Sequence, residues 1–201
     1  MKTLWTIVLA TLAIAPLGII ANARAEAPTS KDLVPIQRPL AELKPPSQSD
    51  ASLSASIKVS AWLDRDNAIY KAGDKLVLSV KASRDAYITV LDVGTSGKVH
   101  VVFPNEFQQD NFIKVGQVVQ IPGHNAGFDF LVGGPTGNEL LKVFASENPA
   151  PLFDPVNLLP TGLFKTHTAK ADTVAKDLVI TLREQHAQGW NQAIQTFRIV
   201  D

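Results

Sequence analysis

The stretch AYITVLDVGTSGKVHVVF, residues 86–103, predicts a β-hairpin, and this hairpin indicates the fold class. Its two arms are rich in β-branched and aromatic residues, which is typical of strands that bury one face. The GTSG between the arms is a glycine-containing loop of the kind that joins antiparallel strands. We expect Val99, Val101 and Phe103 to alternate inward.

The same period of two continues on both sides of the hairpin. SIKVSAWL (56–63) puts alternate apolar residues from Ile57 to Leu63 on one face, and DKLVLSVKA (74–82) does so with Leu76, Leu78 and Val80. Further strands are predicted at QVVQI, GFDFLV, ELLKVFAS and, near the C-terminus, QAIQTFRIV. Many short strands separated by glycine, proline and asparagine favour an all-β, mainly antiparallel fold, namely an immunoglobulin-like or related β-sandwich.

The region after residue 146 is harder to assign. Glu147 to Thr168 is proline-rich and predicted to be mostly irregular, and AKADTVAKD (169–177) predicts one short helix. Residues 178–188 fit either a helix, because Val174, Leu178 and Leu182 recur every four residues, or a strand, because LVIT is strong β-sequence. We prefer a strand, which would form a C-terminal hairpin with QAIQTFRIV.

The N-terminus has the pattern of a secretory signal peptide at residues 1–25. Lys2 is followed by an uncharged run from Leu4 to Ile20, and Ala23 and Ala25 form an A-x-A cleavage site. Whether the segment is cleaved or kept as an anchor stays open, since 17 apolar residues reach the lower limit for spanning a bilayer. We expect a periplasmic or secreted protein with no stable membrane insertion after cleavage.

Residues 26–50 contain five prolines and no aromatic residue, so we predict a linker there and a single β-sandwich domain at 51–201. The chain has no cysteine, so stability has to come from a packed core. Removing Lys2 and Arg24 from 19 basic and 19 acidic residues leaves a net charge of about −2. Nucleic-acid binding is therefore not expected, because it requires a basic surface.

No catalytic or metal-binding motif is present. There is no G-x-S-x-G elbow, and no two histidines have the spacing of a local zinc site. We expect no cofactor, no metal and no enzymatic activity. A hydrolase or metal-dependent enzyme whose site forms only in the fold remains the alternative, and it would need His100, His124, His167 or His186 close to a carboxylate.

The polar run PNEFQQDN (104–111) follows the hairpin and holds the candidate binding residues Asn105, Glu106, Asp110 and Asn111. Structurally, Pro104 ends the strand and Asn105 suits an Asx turn, with Phe107 folding back over the sandwich edge. Functionally, the same polar side chains are available to a ligand. A calcium site that uses Glu106 and Asp110 is a third hypothesis.

The region from Ile57 to Ser146 resembles the bacterial family known as domain of unknown function 4384. The most specific shared element is the turn Phe103 to Asn105, combined with Gly116 and with Ile121–Pro122. The resemblance implies an accessory β-domain of exported proteins and implies no catalytic residues. We therefore expect a noncatalytic binding or adaptor module of the cell envelope that contacts a protein or glycan through its loops.

Overall fold

The computed structural model describes residues 57–185 and 189–201 of the chain. The signal peptide predicted at 1–25, the linker predicted at 26–50 and the predicted domain start at residue 51 lie outside these residues.

The described residues form eleven β-strands, one α-helix, α1 (Ala171–Glu184), and a 3₁₀ helix at Pro155–Asn157. In chain order the strands are β1 (Val59–Leu63), β2 (Ile69–Lys71), β3 (Leu78–Ala82), β4 (Ala86–Val93), β5 (Val99–Phe103), β6 (Phe112–Ile113), β7 (Val118–Ile121), β8 (Gly137–Ser146), β9 (Leu158–Thr161), β10 (Phe164–His167) and β11 (Trp190–Val200).

The strands make two sheets. The small sheet has the order β1–β3–β7, and the large sheet has the order β2–β11–β8–β4–β5–β10–β9, with β6 paired to β4. Among the described strand pairs, β2 with β11 is parallel and the others are antiparallel. The predicted all-β, mainly antiparallel sandwich is therefore confirmed.

Two hydrophobic cores hold the layers together. The first lies between the sheets, where Leu78 and Val80 of β3 belong to the same cluster as Ile88 and Val143 of the large sheet. The predicted inward faces of 56–63 and 74–82 are confirmed, because their apolar residues belong to this cluster. The second core lies on the outer face of the large sheet, where Phe144 belongs to the cluster of α1.

The predicted hairpin is present, but its inward face differs from the prediction. The register pairs Val90 with Phe103 and Leu91 with Val101, so Val102 is an extra residue in β5. A bulge of this kind reverses which face the following side chains occupy. Phe103 consequently lies in the core between the sheets, whereas Val99 and Val101 face the helix layer.

The strand that we preferred at 178–188 is wrong: these residues continue α1 as far as Glu184. Val174, Leu178 and Leu182 are buried on one side of the helix, whereas Ile180 is 53% exposed. The period of 3.6 prevails because this face packs on the second core. Asp172 in the first turn and Arg183 in the last turn also suit the helix dipole.

Three other predictions are corrected. The proposed C-terminal hairpin does not form, because β11 pairs with β8 and β2 instead. GFDFLV supplies only an isolated bridge between Lys75 and Leu131. The region predicted to be irregular contains the β9–β10 hairpin, and β10 extends the large sheet beside β5. Short strands with few apolar residues gave little periodicity to detect.

Lys142 of β8 is fully buried on the helix side of the large sheet. Its Nζ lies 5.5 Å from the centre of the Phe144 ring. Burial lowers the pKa of Lys142 to about 7, because the charged ammonium loses its hydration.

None of the helices in the described residues is long and apolar enough to cross a membrane.

Leu178→Ala and Ile180→Ala test the helical assignment. Leu178 is fully buried, so its truncation should lower the free energy of unfolding by about 2–5 kcal/mol. Ile180 is exposed, so its truncation should change that free energy by about 0.5 kcal/mol or less. Urea denaturation measures both values, and equal losses would contradict the helix.

The buried Lys142 should make the parent chain more stable as the pH rises, and Lys142→Met should remove this dependence on pH. Between the native pKa of about 7 and the ordinary value of 10.5, the unfolded chain binds a proton that the native state has released. The free energy of unfolding therefore increases with pH across this window, by up to about 5 kcal/mol, because each pKa unit corresponds to about 1.4 kcal/mol.

Denaturation of both proteins between pH 6.5 and 9.5 checks this expectation. The advantage of Lys142→Met over the parent chain should shrink as the pH rises. Lys81→Met, at an exposed position of β3, serves as the matched control for removing a lysine. A difference that does not change with pH would show that Lys142 does not titrate in this way.

Candidate functional site

The predicted binding residue Asn105 is buried and closes the turn that follows β5. Its Oδ1 accepts hydrogen bonds from the backbone N–H groups of Phe107 (3.0 Å) and Gln108 (2.9 Å). Its Nδ2 donates to the carbonyl of Val102 at 2.8 Å. Both ends of the carboxamide are thus engaged by the backbone, as expected for an Asx-type turn. Glu106, by contrast, is exposed.

Asp110 and Asn111 attach the end of the same loop to the sheet. Asp110 Oδ1 accepts from the backbone N–H of Phe112 at 3.1 Å. Asn111 Nδ2 donates to the carbonyl of Ile88 at 3.0 Å, and the N–H of Ile88 donates to the carbonyl of Asn111 at 2.8 Å. These bonds order the loop, and a ligand role for the four residues stays a prediction. Across residues 57–185 and 189–201, no group of three Asp, Glu or His side chains is arranged to hold a metal ion.

Asn111 lies on the wall of a cavity of about 260 Å³ on the outer face of the large sheet. We call this cavity the proline groove. Its floor comes from β4, β5 and β8, and its rim comes from the loop after β8, from β10 and from the ends of α1 and β11. The lining residues are Tyr87, Thr89, Val101, Pro104, Asn111, Phe144, Ser146, Asn148, Pro149, Ala150, Pro151, Leu152, Phe153, Pro155, Leu158, Lys165, Leu182 and Trp190.

Local hydrogen bonds fix the loop that forms one side of the groove. The N–H of Asn148 donates to Ser146 Oγ at 3.1 Å, and Asn148 Oδ1 accepts from the N–H of Ala150 at 2.9 Å. Asn148 Nδ2 also donates to the carbonyl of Gln185, just beyond α1. At the far end, Asp154 caps the 3₁₀ helix by accepting from the N–H of Val156 at 3.0 Å. The wall is therefore joined to both the sheet and the helix.

The lining of the groove is mainly apolar and includes four aromatic residues and four prolines. The rings of Phe144 and Trp190 lie 6.1 Å apart, and Tyr87 lies 5.1 Å from Phe112. Lys165 is exposed at the rim, and the lining residues include no carboxylate and no histidine. The groove can therefore enclose apolar groups and attract a negative charge, but its side chains offer no acid–base pair.

A second polar cluster lies at one end of the large sheet. Asp92 of β4 and Glu139 of β8 hydrogen-bond to each other, and Glu139 Oε1 accepts from the N–H of Thr95 at 3.4 Å. Asp92 Oδ1 and Thr95 Oγ1 are buried and have no hydrogen-bond partner among the described residues. Burial, reinforced by the neighbouring Glu139, raises the pKa of Asp92 well above its usual value. Burial raises the pKa of Glu139 as well.

The described histidines do not join this pair. His100 Nδ1 lies 2.8 Å from Thr166 Oγ1, and burial lowers the pKa of His100. His167 Nδ1 accepts from the N–H of Ala169 at 3.0 Å, and its ring packs on Phe153. His124 is exposed, and His186 lies outside the described residues. No hydrogen bond or ion pair joins a histidine to a carboxylate in the described part of the chain.

Most of the rim of the proline groove comes from the segment predicted to be irregular, so the groove was not predicted from the sequence. The available signal was the spacing of Pro149, Pro151 and Pro155 close to Leu152 and Phe153. Trp190 also lines the groove, but it comes from the distant β11. The fold brings it there, so the sequence around it does not predict this position.

One family model matches a part of the chain that includes strands of both sheets. Residues 69–149 match a family model described as Domain of unknown function (DUF4384), from β2 to the first proline of the groove wall. No curated protein and no solved structure matches the chain. The residues on which the resemblance was based lie in turns. The peptide bonds Phe103–Pro104 and Ile121–Pro122 are cis, and Gly116 has a φ of 76° in the turn before β7. The resemblance to the DUF4384 family is therefore confirmed over residues 69–149.

Proposed function

We propose that the protein is an exported, noncatalytic binding module of the bacterial cell envelope that holds an extended peptide segment of a partner protein in the proline groove. The observation that carries this proposal is the chemistry of the groove. Aromatic rings and prolines form a preordered apolar surface, and no carboxylate or histidine lines it. Export itself rests on the predicted signal peptide.

The shape and lining of the groove favour an extended peptide over a small metabolite. Aromatic-lined grooves bind proline-containing segments because such segments are already extended and lose little entropy on binding. At about 260 Å³, the cavity accommodates one or two apolar side chains while the peptide backbone stays near the surface. The exposed ammonium of Lys165 adds a preference for a carboxylate on the peptide.

A second candidate function is a hydrolase that uses the Asp92–Glu139 pair. Paired carboxyl groups with different proton affinities are the pattern of several acid–base catalysts. Against this candidate, His100 and His167 lie in other hydrogen bonds and His124 is exposed. The pair itself belongs to the framework of β4 and β8. The pair is therefore better explained as buried polar residues within the sheet.

Ala150→Trp should block the groove and weaken peptide binding. Ala150 is a partly buried lining residue, and an indole at this position would occupy the space intended for a peptide side chain. The probe is an array of 12-residue peptides with proline next to apolar residues, each made with and without a glutamate. We expect affinity for the best peptide to fall at least about tenfold, which corresponds to about 1.4 kcal/mol, as measured by fluorescence anisotropy.

Two control variants make the peptide test specific. Ala126→Trp adds the same indole to the loop after β7 and should leave binding unchanged. Lys165→Glu should reduce the preference for glutamate-containing peptides without altering the fold. The proposal fails if no peptide binds the parent chain, or if Ala150→Trp binds as tightly as the parent.

Asp92→Asn should make the protein more stable at neutral pH and flatten its response to pH. Because the pKa of Asp92 is raised in the native state, the folded protein keeps a proton that the unfolded chain loses above about pH 4. The free energy of unfolding of the parent chain should therefore decrease as pH rises from about 4 through the raised pKa. Asparagine cannot ionise, so the variant should lose most of this decrease.

Urea denaturation between pH 4 and 8 measures the effect, with the exposed Glu106→Gln as the control for removing one carboxylate. The parent chain and Asp92→Asn should also be assayed with ester, glycoside and peptide substrates. Turnover by the parent chain that is lost in Asp92→Asn would replace the binding proposal with the hydrolase.

A further inference from the structure

A second surface of the protein lies on the outer face of the small sheet, on the layer opposite the proline groove. The register aligns Trp62 of β1 with Ser79 of β3 and Ser79 with Gln120 of β7. Their neighbours Leu63 and Val80 belong to the core between the sheets, so this row faces outward. Trp62 is 42% exposed, which leaves a large indole surface open to solvent.

Loops at one end of the small sheet convert this face into an open groove of about 570 Å³, which we call the Trp62 groove. Its polar side chains come from the turn after β1, from β3 and the segment before it, and from β7 and the loop after it. They are Asp64, Asp66, Lys75, Ser79, Gln120, His124 and Asp129. Lys75 and Asp129 form an exposed ion pair at 2.8 Å.

The groove is ordered by hydrogen bonds that involve the polar run singled out in the sequence. Gln108 Nε2 donates to the carbonyl of Gln120 at 3.1 Å, and Gln108 Oε1 accepts from the N–H of Gly123 at 3.2 Å. The N–H of Gln108 is itself held by Asn105 at 2.9 Å. The turn after β5 therefore braces the loop that forms one wall of the Trp62 groove.

The opposite wall is fixed by Asp64. Its Oδ1 accepts from the N–H of Val77 at 2.9 Å and from the hydroxyl of Tyr70 at 2.8 Å. Asp64 is thus a structural residue, whereas Asp66, Gln120 and His124 are exposed. A ligand would meet one flat aromatic surface surrounded by side chains that donate and accept hydrogen bonds.

This combination matches a sugar better than the other common ligand classes. The C–H face of a pyranose ring packs on an indole, while its hydroxyl groups need carboxylate, amide and imidazole partners at the edges. Three aspartates against one lysine disfavour nucleic acid and other anions. A peptide of the kind expected in the proline groove would find only one exposed large apolar side chain among the lining residues, that of Trp62.

We propose that the Trp62 groove binds a neutral or amine-bearing oligosaccharide, with one pyranose ring stacked on Trp62 and its hydroxyl groups hydrogen-bonded by residues that include Gln120 and Asp66. This site uses no residue of the proline groove, so the sugar-binding proposal can be tested independently of the peptide-binding proposal. Together the two sites would let one module connect a protein segment with a glycan.

Titration with defined oligosaccharides tests this inference. The probes are cellotetraose and a tetramer of N-acetylglucosamine as neutral sugars, a chitosan tetramer as the amine-bearing sugar, and tetragalacturonate as the anionic control. Calorimetry and tryptophan fluorescence should show saturable binding of at least one neutral or amine-bearing sugar, with a dissociation constant of about 1 mM or lower. Tetragalacturonate should bind at least about tenfold more weakly.

Variants of exposed residues identify the site. Trp62→Ala should weaken binding at least about tenfold, and Trp62→Phe should restore part of the loss because it keeps an aromatic face. Val118→Ala, which truncates another exposed residue on the outer face of the same sheet, should bind like the parent chain. Unchanged thermal melting of each variant shows that the fold is intact.

The inference is overturned if no neutral or amine-bearing sugar binds, if the anionic sugar binds best, or if Trp62→Ala binds as tightly as the parent chain. Ala150→Trp should leave sugar binding unchanged, because it acts in the proline groove. A loss of peptide binding with intact sugar binding, or the reverse, tells which of the two proposals has failed.

Discussion

Burial of β8 on both of its faces is the constraint on which the other layers depend. Leu141, Val143 and Ala145 point into the core between the sheets, whereas Leu140 and Phe144 point toward the helix layer. The strand pairs with β11 on one side and β4 on the other along nearly its whole length. Because both faces must be covered, the small sheet and α1 are needed together, and removing either layer would expose a continuous apolar strip.

Much of this framework could be predicted from the sequence, and the failures have physical reasons. The hairpin of β4 and β5, and strands β3 and β8, have strong local periodicity. The apolar residues of 178–184 fit both the spacing of a helix and the alternation of a strand. The helix forms because Leu178 and Leu182 pack against the large sheet, a tertiary contact that the local sequence does not show. The bulge at Val102 inserts one residue without changing composition, so alternation alone placed Val99 and Val101 on the wrong face.

The sites could be predicted less well than the fold. The polar run after β5 was correctly identified as a turn-forming segment, and Asn105 engages the backbone in the expected manner. The hydrogen bonds from Gln108 to Gln120 and Gly123 join residues that are 12 and 15 positions apart. Bonds between residues this far apart cannot be predicted from the local sequence pattern. Both grooves likewise combine residues from separate strands, so their lining depends on register, which composition does not determine.

The parallel pairing of β2 with β11 has a consequence for how the protein reaches its native state. Ile69–Lys71 lies beside Arg198–Val200, and Lys71 Nζ donates to the carbonyl of Asp201 across 130 positions of the chain. Contacts this distant in sequence form late, since a long loop must close before they add any stability. While such a chain is being synthesised, β8 stays without its neighbour on one side until β11 has been made. The large sheet can therefore be completed only after β11 has been made, however early the hairpin of β4 and β5 forms.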